Sequence, residues 1–143
     1  MTRTIAAAGL VAMAVARLAF AGQVTKKFAI APGNVQPIEV EVDGIRVNQI
    51  VFADKMEAPG LFSKGGTKAK IRVDNDTQRD CEVGIAVVFF DASGNIVAAG
   101  TGGTKVGSLK KGERDTHTID FDYVFRNASK AKTFVVTLET AQK

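Results

Sequence analysis

Ile38-Glu-Val-Glu-Val42, then Asp43-Gly44, then Ile45-Arg-Val-Asn-Gln-Ile-Val-Phe-Ala53: this stretch decides the fold class. Its first run alternates apolar and charged residues with a period of two, the pattern of a strand covered on one face. Asp-Gly is a two-residue hairpin loop, because the favoured turn needs positive φ at both central positions. The returning run is the partner strand. Within it the apolar phase passes from Ile45 and Val47 to Ile50 and Phe52, and a β-bulge near Asn48-Gln49 would produce that one-residue change of face.

Working outward, Ala69, Ile71 and Val73 alternate with Lys68, Lys70, Arg72 and Asp74, which predicts a strand with one dry face and one in water. Cys81, Val83, Ile85, Val87 and Phe89 share one phase of the next run, while the other phase goes from Glu82 through Gly84 and Ala86 to Val88 and Phe90. Its later half is apolar on both faces and predicts a central strand covered on both sides, with Cys81 a small core hydrophobe. Asp91-Ala-Ser-Gly94-Asn95 turns the chain into Ile96–Ala99. Further strands are expected at Thr104–Leu109, Thr116–Tyr123 and Thr133–Glu139, with Phe134, Val136 and Leu138 inward and a single helical turn within Val124–Ala131. Short strands separated by turn residues predict an all-β fold, an antiparallel sandwich or barrel of about seven or eight strands spanning residues 38–143. Residues 22–37, with Pro32, Gly33 and Pro37, read as a leader or an edge segment ahead of it.

The first twenty-one residues read as a signal peptide. Arg3 gives a positive start, Ile5 to Ala16 is an apolar run, and Ala19-Phe20-Ala21 is a small-x-small cleavage site that would leave Gly22 as the new N-terminus. Arg17 is atypical there. The competing readings are an ordinary buried helix or an uncleaved anchor, and the anchor places that charge in a membrane run at a cost of roughly 2.5 to 3.5 kcal/mol. Cleavage removes Arg3 and Arg17, two of 19 cations set against 15 anions, so the formal charge falls from +4 to +2 and a nucleic-acid partner is not expected. The remaining residues 22–143, 122 in number, suffice for one soluble domain with no membrane span, periplasmic or secreted. One cysteine cannot close an internal disulfide, so stability rests on packing.

Val87-Val-Phe-Phe-Asp91, followed by Gly94, Val97, Leu109, Gly112-Glu113 and Phe121, resembles the FxLYD-type domain of bacterial exported proteins. The likeness covers roughly residues 69–138 and departs at Val87, Phe89 and Phe90, where the pattern has Phe, Leu and Tyr. The resemblance implies an immunoglobulin-like or fibronectin-like sandwich with a binding or accessory role and no catalytic residues.

The chain offers little chemistry of its own. Asp74-Asn-Asp76 with Asp80 lacks the glycine and glutamate of a calcium loop, since Arg79 and Ile85 stand at those positions. Gly100-Thr-Gly102-Gly103-Thr-Lys105 lacks the Gly-Lys-Ser/Thr and helix of a phosphate loop, and its glycines read as a bulge or wide turn. Asp120 and Asp122 share a strand face and fit a half-exposed strand with Ile119, Phe121 and Tyr123 inward. His117 is the only histidine and reads as a satisfied or rim residue, so neither a metal site nor a cofactor is expected. Asn75-Asp-Thr77 and Asn127-Ala-Ser129 match the short N-glycosylation pattern. The candidate binding residues are Met56, Leu61, Phe62 and Lys64, around Pro59-Gly60 in a connection otherwise built for water. Lys64, Lys68, Lys70, Lys105, Lys110 and Lys111 are candidates for a basic patch. The expectation is a non-catalytic protein in contact with an envelope protein, through strand addition at a sheet edge. The alternative is a small-ligand or polysaccharide module using the loop end, against which the lack of Trp and the single Tyr count.

Overall fold

The structure, a computed structural model, describes residues 21–52, 68–104 and 106–142. Eight strands, β1 (Ala21–Ala29), β2 (Val35–Val42), β3 (Ile45–Phe52), β4 (Lys68–Asn75), β5 (Cys81–Phe90), β6 (Ile96–Gly103), β7 (Arg114–Val124) and β8 (Thr133–Gln142), form one antiparallel sheet in the order β1-β8-β5-β6-β7-β4-β3-β2. The expected all-β, antiparallel architecture is thus present. The single sheet curls until β1 and β2 approach each other, a nearly closed barrel in which curvature opposes the two inner faces as a sandwich would.

The curl follows from local irregularities the sequence encodes. Val47 and Ile50 of β3 face Val73 and Ile71 of β4, three residues against two, which places the predicted bulge at Asn48-Gln49. A second shift between Pro37 and Val40 bends β2 at the same level. The hairpin between them turns at Asp43 (φ 50°) and Gly44 (φ 79°), as Asp-Gly requires. Inside, the tilted rings of Phe52, Phe89 and Phe121 stand 5.5 to 6.5 Å apart, and Phe134 stacks on both Phe89 and Phe28. Strands far apart in sequence meet in this cluster, so its burial holds the curled sheet shut.

Residues 22–37 are the edge segment rather than a detached leader. β1 pairs with β8 along its whole length, from Ala21↔Ala141 to Ala29↔Thr133, and buried Gln36 ties the connection to β2 through bonds to Ala31 and Gly33. Among the described residues the sheet therefore starts at Ala21, ahead of the boundary expected near Ile38. Across the seam the Lys26 ammonium donates to the carbonyl of Glu39, and a Cβ on Gly22 would lie 1.8 Å from Asp43 Oδ2.

Three other expectations change. The described residues of Thr104–Leu109 form no strand, because Gly103 (φ 134°) turns the chain away; Thr104 bonds back to Val83 and Leu109 to Cys81, but neither continues a ladder. Tyr123 does not face inward. β5 is central, yet the described residues leave its second face half-exposed. The helical turn is a short 3-10 turn at Ala128–Lys130. The predicted signal peptide falls on residues 1–21, of which 1–20 lie outside the described residues. Among those described, no helix is long and apolar enough to cross a membrane.

Candidate functional site

β5 and β6 carry a floor of small side chains on the outer surface. Gly84, Ala86 and Val88 pair across the ladder with Gly103, Thr101 and Ala99, and directly paired residues share a face. The inward phase of β5, from Val83 to Phe89, is buried, so this row points out. On one flank lie Val135, Thr137 and Glu139 of β8, and on the other Asp120 of β7, opposite Thr101. The result is a groove of about 570 Å³ over Ala86, Val88 and Ala99, walled by Asp120 and Asp122. A depression of about 240 Å³ between Glu82, Gly84 and Glu139 adjoins it at Thr104.

Two glycines shape the far wall. A Cβ on Gly100 would lie 2.7 Å from the carbonyl oxygen of Asp120 and from the Phe121 ring, and one on Gly102 would lie 2.3 Å from the carbonyl oxygen of Thr118. Only glycine lets β6 run so close to β7. Past this contact the ladder slips: Thr101 opposes Asp120 while Ala99 opposes Val124, two residues against four. That slip expels Tyr123, 93% exposed at the end of the groove.

Charge is segregated around this floor. The outward positions of β5, β6 and β8 carry no lysine or arginine and include the exposed Glu82 and Glu139; exposed Asp122 borders them on β7, and Lys27 of β1 borders them beside Val135. Asp120 pairs with Lys68 Nζ at 3.5 Å. No ion-pair partner of Asp122 is found among the described residues. Arg46, Lys68, Lys70 and Arg72 stand instead on the outward faces of β3 and β4. In a chain of net positive charge, an acidic, uncharged-floored face is a matter of placement and not of composition.

Met56, Leu61, Phe62 and Lys64 lie outside the described residues, as does Lys105. The described lysines are not gathered into one patch. Lys68 and Lys70 open β4, whereas Lys110 and Lys111 sit beyond its other end, where Lys110 Nζ reaches Asp80 Oδ2 at 2.9 Å and the Lys111 amide donates to Asp80 Oδ1. These contacts hold the Asp80 carboxyl below its ordinary value of 3.8. Asp76 pairs with Arg46, and buried Asp74 lies beside Arg72 and Arg114, so each carboxylate of this segment already faces a cation. Asn75 is 1% exposed; its Nδ2 donates to the carbonyls of Arg79, Leu109 and Lys110, and its Oδ1 accepts from Thr77. That amide is structural, and a glycan on it would break the network.

Cys81 is buried beside Leu109, and burial first, then the Asp80 charge, pushes its thiol above the ordinary value of 9.0. A thiol so placed is a poor nucleophile. His117, 8% exposed on the inward face of β7, lies opposite Ile71, and its buried Nε2 has no hydrogen-bond partner among the described residues. The two side chains therefore make no Cys–His pair. Sequence reasoning missed the outer groove, although its signal was present in the apolar second phase of β5 and the small residues of 98–103. Comparison with protein-family models and with curated proteins finds no match to this chain.

Proposed function

We propose that this chain is an exported, non-catalytic binding protein of the cell envelope, and that a partner protein docks on the outer face of β5, β6 and β7. The observation that carries the reading is the second face of β5: a central strand whose Ala86, Val88 and Phe90 point outward, apolar and half-exposed, where both-sided cover is the usual reason for such a sequence. The signal-like start at residues 1–21 and the FxLYD-type resemblance support export and an accessory role. The raised thiol of Cys81 and the inward-facing His117 support a role without nucleophilic catalysis. Face docking replaces edge addition as the favoured form, because the β1 and β2 edges face each other across a seam that Lys26 bridges.

Photo-crosslinking in the native cell tests this. A photoreactive residue at Ala86 or Ala99 is expected to capture one defined partner, and the same residue at Glu41, exposed on β2 and four strands from β6, is expected to capture none. Equal capture from both faces, or none from either, overturns the reading.

A further inference from the structure

The geometry points to the chemistry of that partner: a basic, extended peptide segment of another protein laid along the groove, its small or aliphatic residues on the floor and its Lys or Arg side chains on the carboxylates at either side. This inference rests on the binding reading above and adds the class of ligand to it. The floor pairs Ala86 with Thr101 and Val88 with Ala99, presenting only small, uncharged surface. Such a surface admits a backbone closely and gives no anchor to a large ring. Acidic groups stand on both flanks, Asp120 and Asp122 on β7 and Glu139 on β8. Asp122 and Glu139 are exposed and carry no ion pair among the described residues. Cations are absent from the outward positions of three adjacent strands and stand beyond them, on β3 and β4 and, beside Val135 at the β8 border, at Lys27 of β1. Charge complementarity of this kind steers encounter and rejects acidic partners more than it sets affinity. Tyr123, almost fully exposed at the groove's end, supplies an aromatic face for one cationic side chain, a contact of about 0.5–1 kcal/mol at an exposed site.

The test uses residues 22–143 and three fluorescein-labelled octapeptides, alternating Leu with Lys, with Glu or with Gln. Anisotropy is read at low and at near-physiological salt. The Lys peptide is expected to bind, to weaken several-fold with salt, and to outcompete the Gln peptide, while the Glu peptide does not bind. The double variant Asp122→Lys/Glu139→Lys, at exposed positions where folding is little affected, is expected to weaken the Lys peptide at least ten-fold and to admit the Glu peptide. Ala86→Arg, which fills the floor, is expected to abolish Lys-peptide binding with Tm retained. Equal binding of Lys and Glu peptides, indifference to the double variant, or concentration-dependent self-association that occupies the face each overturns the proposal. Capture of a partner at Ala86 together with indifference to peptide charge would sink the basic-segment inference alone and leave the binding reading standing.

Discussion

Two buried polar side chains in this barrel should answer the same substitution with opposite signs. His117 is 8% exposed and its Nε2 is without a partner among the described residues, whereas Asn75 is 1% exposed and spans three carbonyls and Thr77. A buried polar atom left unpaired costs about 1–3 kcal/mol, and an apolar replacement of similar size removes that cost while losing up to about 1.5 kcal/mol in fit. His117→Leu is therefore expected to stabilise the protein by about 1 kcal/mol, raising Tm by about 4 °C for a domain of this size. Asn75→Leu strands the carbonyls of Arg79, Leu109 and Lys110, of which one is wholly buried in its bond and two are partly so. Its expected cost is about 3 kcal/mol, a fall of roughly 12 °C. Urea unfolding of residues 22–143, with m-values compared to confirm a common two-state transition, measures both. A loss of more than about 1 kcal/mol in His117→Leu would refute the reasoning and show that Nε2 has a partner in the folded protein.

Three further outcomes follow from the same structure. Cys81 should resist a thiol reagent at pH 8 in the folded state and react at once in denaturant; rapid native labelling would contradict its burial and raised thiol. Gly102→Ala puts a Cβ 2.3 Å from the Thr118 carbonyl oxygen and should cost more than about 2 kcal/mol, with cross-β6–β7 amide exchange accelerated, while Gly94→Ala, which meets nothing within 4 Å but holds φ 82°, should cost about 1 kcal/mol. Asp91 caps its own turn: Asn95 Nδ2 and the amides of Asn95 and Ser93 hold its carboxyl below the ordinary 3.8, so its contribution is full above that value and is lost as pH falls through the lower folded value. The Tm gap between the native chain and Asp91→Ala should stay constant above pH 5 and narrow as pH falls below 3.8; a gap that does not narrow under acid would refute the assignment.

Most of the strand framework was legible because alternation reports directly which residues share a face. The hairpin at Asp43-Gly44 and the bulge at Asn48-Gln49 could be placed from the change of phase alone. β1 could not, since Lys26 and Lys27 interrupt its alternation and its cover comes from β8, more than a hundred residues on. Tyr123 misled for a related reason: the slip between β6 and β7 is set by how closely Gly100 and Gly102 approach β7, a relation between strands that no single run records. The candidate groove failed at one specific step. The apolar second phase of β5 was visible, but alternation says which side chains point together and is silent on what covers them, and cover was the reading taken.

The seam between β1 and β2 bears on how the chain behaves in company. A curled sheet whose last two edges meet without pairing leaves two rows of backbone donors and acceptors, each a template for a neighbour's strand. Here the rows are turned towards one another, Gly22 against Asp43 and Lys26 against Glu39, and a lysine ammonium occupies a carbonyl that a foreign strand would need. The fold thus turns its own margins towards each other, where a second chain would have to part them before it could add a strand.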